Sequence, residues 1–179
     1  MSKSGKSHFN LIFTLVMLVF TVAVLFKPAT RYFFPIKYID EIKMYSKEYN
    51  LDEHLVMAVI RTESKFNTDA VSHKNAKGLM QLREDTANWC IEHFGLTTSG
   101  DFTTPETNIQ IGCSYLRYLI DKFGSIETAL AAYNAGEGNV SEWLDKQGEE
   151  TNLSEIPFEE TRNYVNKVLK REKIYHFLY

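Results

Sequence analysis

Cysteine and metal-binding spacings are nearly absent from this chain. Only two cysteines occur in 179 residues, Cys90 and Cys113, and the five histidines form no H-E-x-x-H pattern, so no metal site is expected. His73 sits in a polar loop and reads as a solvated residue rather than a ligand. Sustained two-residue alternation is missing, which excludes a half-buried sheet, and no repeat or low-complexity tract occurs. Acidic residues are missing from positions 1–37, which hold five basic ones, Lys3, Lys6, Lys27, Arg31 and Lys37. The remainder carries 15 basic against 23 acidic residues, a formal −8. A body this acidic excludes nucleic acid and anionic lipid as its partners and suits a neutral or mixed-charge substrate. Both cysteines fall inside expected helices. They can pair if the domain lies outside the cytoplasm, or they are two small core residues.

One long hydrophobic run is present. Leu11 to Phe26 is apolar except for Thr14 and Thr21 and is bracketed by Lys3, Lys6 and Lys27. At about 1.5 Å per residue, the run from Phe9 onward just crosses a hydrocarbon core. A cleaved signal peptide is the competing reading, but the apolar core is long for one and no A-x-A site follows. The expected organisation is a short start over 1–8, a transmembrane anchor over 9–27, a juxtamembrane linker over 28–37 and a domain over 38–179. Tyr32, Phe33 and Phe34 fit an interfacial aromatic belt or a strip packed under the domain.

The domain reads as all-α, with six to eight helices around a cleft. Helical spacing runs from Tyr38 to Asn50. Leu51 to Ser64 is the central helix: Asp52 can cap its start, and Leu55 to Ile60 is an unbroken apolar run that only a helix buried on nearly all sides tolerates. Further helices are expected from Glu84 to Phe94, stopped by Gly95, and from Pro105 to Phe123, stopped by Gly124. Ser125 caps another through Tyr133, which Asn134-Ala135-Gly136 breaks. Asn139 to Lys146 is helical, and Pro157 introduces a last long helix, after which no separate binding module is expected.

Glu63 ends the central helix where an apolar element meets a polar loop. The helix C-terminus and partial burial both disfavour its carboxylate and favour the protonated state that a general acid needs. A solvated helix-end residue beside Lys65 is the plainer alternative. Three further short signatures follow Glu63-Ser64: GLMQ at 78–81, AAYNAG at 131–136 and IPFEETRNYV at 156–165. Singly each is weak. AAYNAG brings a backbone close to something while projecting one ring and one amide, or it is a packed helix end with Asn134 as its cap.

Together, in this order and spacing, the four signatures resemble the soluble lytic transglycosylase family, whose catalytic domain has a lysozyme-like, goose-type α-fold. The resemblance covers nearly all of Tyr38 to Tyr179 and leaves out the membrane segment. It implies that Glu63 is the single catalytic acid, next to Ser64. By the same likeness Ser72 helps hold an acetamido group, Met80 and Gln81 line the cleft and bind the substrate, and Tyr133 and Asn134 contact the bound sugar. Glu160, Thr161, Arg162 and Tyr164 match the family's closing motif, which returns to the floor of the cleft near the acid, with Tyr164 among the substrate-binding residues, Glu160 bracing Tyr133 or a loop and Arg162 its salt-bridge or cap partner. The loop residues His73, Lys74, Asn75 and Lys77 depart from the relatives.

The implied reaction needs no cofactor. It cleaves the bond between MurNAc and GlcNAc in peptidoglycan by an attack of the sugar's own 6-hydroxyl, with one carboxyl as acid and then base. Asp69, Glu84, Asp85 and Glu137 are expected to be solvated; if one faces Glu63 across a water-sized gap, hydrolysis becomes the alternative. A glycan-binding scaffold without turnover is the reading of another class. Peptidoglycan as partner implies a single-pass protein of the cytoplasmic membrane with its domain outside, and a tether can also dock a cell-envelope protein that the sequence does not name.

Overall fold

The computed structural model describes residues 3–98 and 100–179. The side chains of Lys3, Lys6 and Lys27, which bracket the apolar run, lie outside the described residues. Two units emerge along the chain, Met1–Pro35 with Leu178–Tyr179, and Ile36–Phe177.

The first unit is built on α1, Lys3–Phe33. Its stretch Leu11–Phe33 spans 23 residues, and an 18-residue window within it has a mean hydropathy of 2.3 with no described residue buried by protein. A helix of that length rises roughly 34 Å, enough to cross a hydrocarbon core of about 30 Å with some tilt. Residues 28–33 of the expected linker are helical. Pro28 lies inside the helix, where it removes a single backbone bond, and the helix ends before Pro35.

The second unit is all-helical: α2 (Ile39–Glu48), α3 (Glu53–Glu63), α4 (Glu84–Phe94), α5 (Pro105–Phe123), α6 (Ile126–Ala135), α7 (Glu137–Gln147) and α8 (Glu159–Leu178). Asp52 caps α3 by accepting the His54 N–H at 2.7 Å. Every residue from Leu55 to Ile60 is buried, so α3 is enclosed as its apolar run requires. The hub is shared with α5, which packs against α2, α4 and α6 and buries Ile109, Ile111, Leu116, Leu119 and Phe123. Cys90 and Cys113 are both buried and unpaired. They belong to the core, and burial, with some help from Glu137, pushes the Cys90 thiol up to about 12.

Two connections shape the site. Between α6 and α7 stands only Gly136, at φ 91° and ψ 141°, a conformation closed to residues with a Cβ. Between α3 and α4, Val71, Lys77 and Leu82 form isolated bridges, with Lys77 and Leu82 exchanging backbone bonds of 2.9 and 3.0 Å. No strand forms among the described residues.

Candidate functional site

The cleft is assembled from the end of α3, the loop to α4, the start of α4, the α6–α7 junction and the start of α8. It holds about 390 Å³ and is lined by Ser72, His73, Lys74 and Gln81 from the loop and by Tyr115, Tyr133, Asn134 and Glu160 from the helices, with Glu63 opening onto it. A second hollow of about 250 Å³, lined by Trp89 and Glu137, shares Asp85, Thr86 and Tyr115 with the first.

The chain turns sharply just after Glu63. Lys65 and Phe66 take φ of 54° and 65°, left-handed values that a non-glycine residue adopts only when its surroundings enforce them. Ser64 enforces them here: its hydroxyl accepts the Phe66 N–H at 3.1 Å and donates to the Ile60 carbonyl at 3.2 Å. Phe66 is 2% exposed and anchors the turn. Ser64 is therefore a buried turn-former beside the acid, and it does not line the cleft.

The Glu63 carboxyl is pushed up to about 7 from its ordinary 4.5, chiefly by burial, against which a contact from the Tyr164 hydroxyl favours the charged form. That hydroxyl is itself buried and falls short of full hydrogen-bond geometry, so it is a weak counterweight to desolvation. Among the described residues no second carboxylate acts on Glu63. A carboxylate a few ångström away would raise it further by like-charge repulsion. Burial and the charge of Glu63 both hold the Tyr133 and Tyr164 hydroxyls well above the ordinary phenol range, so both stay protonated.

The loop residues are positioned by backbone bonds. Ser72 Oγ accepts from the N–H groups of Lys74 (3.2 Å) and Ala76 (3.1 Å), leaving its proton to donate. Gln81 donates both amide hydrogens, to the carbonyls of Ala70 and Gly78, each at 2.9 Å. Its Oε1 is thus the group it offers the cleft. Met80, expected on the substrate, is 0% exposed; its side chain packs over Gly112, where a Cβ would come within 2.3 Å of its Sδ. What Met80 contributes is its carbonyl, which accepts the Tyr133 hydroxyl at 2.8 Å.

The closing motif acts differently from expectation in two places. Glu160 is exposed at the cleft rim and does not brace Tyr133, whose hydroxyl Met80 already holds. Arg162 forms no pair with Glu160: its Nη1 donates to the Ile156 and Pro157 carbonyls at 2.5 and 3.0 Å, pinning the loop that enters α8. Thr161, which is buried, donates to Asn134 Oδ1 at 2.9 Å and so turns the amide nitrogen of Asn134 away from it. Tyr164 lies beneath Glu63 and outside the lining. Of the spare carboxylates, Asp85 lines the cleft but pairs with Arg83 at 3.0 Å, and Glu137 pairs with Lys122 at 2.9 Å.

Asn108 was not singled out from sequence, yet it organises the GLMQ loop. From a fully buried position on α5 it accepts the Met80 N–H at 2.8 Å and donates to the carbonyls of Lys77 (3.2 Å) and Phe102 (2.9 Å). Gly78 at φ 81° lies so close that a Cβ would come within 2.5 Å of Asn108 Nδ2. Tyr115 was missed as well, since an aromatic at helical spacing reads as core; its ring lies 5.6 Å from that of Tyr133.

A helical domain with a half-buried carboxyl, Glu63, opening onto a cleft fits the lysozyme-like class. Comparison with known proteins is more specific: the chain belongs to the transglycosylase SLT domain family, which matches residues 40–155. It is 38% identical over 152 residues to the soluble lytic murein transglycosylase of Escherichia coli K12, an alignment covering 80% of this chain and 24% of that protein. To the membrane-bound lytic murein transglycosylase C of Edwardsiella ictaluri it is 31% identical over 166 residues, covering 78% of this chain and 46% of the relative. The crystal structure of the 70 kDa soluble lytic transglycosylase of Escherichia coli superposes with a TM-score of 0.72 at 37% identity, over 80% of this chain and 25% of that one. The chain thus spans about a quarter of the soluble relatives and just under half of the membrane-bound one.

Proposed function

We propose that this protein is a membrane-anchored lytic transglycosylase that cleaves the β-1,4 bond between MurNAc and GlcNAc in peptidoglycan. The observation that carries the reading is the Glu63 carboxyl at the cleft, pushed up to about 7 by burial with no second carboxylate among the described residues acting on it. A group in that state donates a proton at neutral pH and afterwards serves as a base.

In the proposed reaction Glu63 protonates the glycosidic oxygen as the bond from the muramic C1 breaks. The resulting carboxylate removes the proton of the same sugar's 6-hydroxyl, whose oxygen attacks C1 and closes a 1,6-anhydro ring. Glu63 ends protonated, ready for the next bond, and water is not consumed. Ser72 has a hydroxyl proton to donate towards an acetamido carbonyl, where a bond strengthens as positive charge develops at C1. Tyr133 presents its ring and an acceptor lone pair, since its own proton is held by the Met80 carbonyl. Gln81 Oε1 and the Asn134 amide nitrogen offer one acceptor and one donor to sugar hydroxyls.

The apolar helix Leu11–Phe33 and the likeness to a membrane-bound relative support an uncleaved single-pass anchor in the cytoplasmic membrane, with the domain outside, where its substrate is. Such a tether restricts cleavage to strands near the membrane. A hydrolysing muramidase is the second reading, favoured by Asp85 and Glu160, which share the cleft with Glu63. Mass spectrometry of digested wall separates the two, because anhydro products are lighter by one water than reducing ends. Glu63→Gln is expected to lower release by at least about 10²- to 10⁴-fold with the fold retained. Reducing ends alone would favour the muramidase, and equal, negligible release from both proteins would favour a glycan-binding scaffold.

A further inference from the structure

No short-range motif announces a metal site, yet folding brings three ligand-type side chains together far from the cleft. Asp52 precedes α3, His54 lies in its first turn, and His176 comes from the last turn of α8. His54 Nδ1 stands 3.0 Å from Asp52 Oδ1, and His176 Nε2 stands 3.0 Å from Asp52 Oδ2. One ligand atom from each of the three falls within 4.8 Å of the others. We propose that Asp52, His54 and His176 form a zinc-binding site that clips the start of α3 to the end of α8.

The geometry carries the assignment. Tetrahedral zinc with bonds of about 2.0–2.2 Å holds neighbouring ligand atoms about 3.3 Å apart; each imidazole nitrogen already stands 3.0 Å from an Asp52 oxygen, and the set lies within 4.8 Å, so the ligands have little distance to close around an ion. The two imidazoles lie face to face, with centroids 4.0 Å apart and planes 29° from parallel. Their nitrogens therefore stand side by side on one flank of Asp52, and the rings must turn about their side-chain bonds for both to face one ion. Asp52 is fixed in advance, because its Oδ1 also accepts the His54 backbone N–H, and such a partner orients a metal-bound carboxylate. Two imidazoles and a carboxylate form a donor set that suits zinc over magnesium or calcium, which favour all-oxygen sites.

Charge and access agree with this. Glu172 stands one turn before His176 on α8 and feels the charges of Asp52, His176 and His54. With Asp52 it supplies two negative charges against the two positive charges of zinc. The side chains of His176 and Asp52 are 50% and 40% exposed, so an ion enters from solvent and water completes the fourth position. The negative end of α8 also lies beside a site that the positive start of α3 would otherwise disfavour.

The test titrates zinc chloride into the full chain, purified without a histidine tag in detergent micelles, and counts bound metal by calorimetry and elemental analysis. One equivalent at micromolar free zinc is expected, together with a melting temperature that rises with zinc and falls back with chelator. Two variants keep the fold intact: His176→Gln changes a half-exposed side chain, and Asp52→Asn retains a good helix cap. Each is expected to weaken zinc binding by at least about 10- to 100-fold. No binding by the parent chain, or an affinity unchanged in either variant, would overturn the proposal. Because metal content is the readout, the result does not depend on glycan cleavage.

Discussion

Glu63→Gln should make the protein more stable, and only above a definable pH. The Glu63 carboxyl sits near 7 in the fold against an ordinary 4.5, so its ionisation is harder in the native state than in the unfolded chain. The sign follows: the native state is relatively favoured below about pH 4.5, and that advantage is lost progressively as pH rises to about 7. At about 1.4 kcal/mol per pH unit, the difference comes to roughly 3 kcal/mol of stability missing at pH 8. Glutamine never ionises and keeps nearly the same shape. Relative to the parent, Glu63→Gln should therefore melt at about the same temperature at pH 4.5 and roughly 5–10 °C higher at pH 8, for a domain of this size. Parallel thermal melts across that range, followed by circular dichroism, give the difference directly. A pH-independent difference, or a variant less stable at pH 8, would mean that burial does not hold this proton, and the acid role of Glu63 would lose its physical basis.

Tyr164→Phe removes the contact that favours the Glu63 carboxylate; the alkaline limb of the pH–rate profile should move to higher pH, and an unmoved limb would show that the hydroxyl does not act on Glu63. Asn108→Ala leaves the buried Met80 N–H and two carbonyls without partners and should cost about 2–4 kcal/mol in urea unfolding. Gly112→Ala drives a methyl against Met80 and should cost about 1–3 kcal/mol, with a further loss of activity because Met80 holds Tyr133. Thiol labelling after unfolding should find both Cys90 and Cys113 free, in line with their unpaired state.

What was legible in sequence was punctuation and periodicity. Asp52, Gly95, Pro105 and Gly124 mark helix ends by local chemistry, and the run from Leu55 to Ile60 could be nothing but an enclosed helix, so the all-α fold and the place of Glu63 followed. The cleft wall between Ser72 and Gln81 was not legible. Its shape depends on Lys65, Phe66 and Gln81 at positive φ and on Asn108, a polar residue inside α5 with no local mark to separate it from a surface asparagine. Met80 was misplaced for a related reason: a motif says which residues recur near a site, and not whether the side chain or the carbonyl does the work. Burial proved the leading cause of the raised Glu63, and that depends on neighbours from α6 and α8 that no short window contains. His54 and His176 meet for the same reason.

The family match ends at residue 155, before α8, yet the site is incomplete without this helix. Thr161 reaches the end of α6 through Asn134. Tyr164 reaches the Glu63 carboxyl, and Arg171 donates to Thr62 Oγ1 at 2.8 Å beside the last turn of α3. His176 reaches Asp52 at the opposite end of α3. Successive turns of one helix thus grip α3 at both ends and hold the amide of α6 in place, with Val165, Val168 and Tyr175 buried between them. Thr161→Val tests whether this grip matters to chemistry. The swap keeps the shape, removes one buried hydrogen bond worth about 1 kcal/mol and frees Asn134 to rotate without touching the substrate. If α8 positions the cleft, cleavage should fall about 10-fold or more while the melting temperature drops only a few degrees, and Thr161→Ser should restore most of the rate. Equal rates in Thr161→Val and the parent would reduce α8 to a packing element.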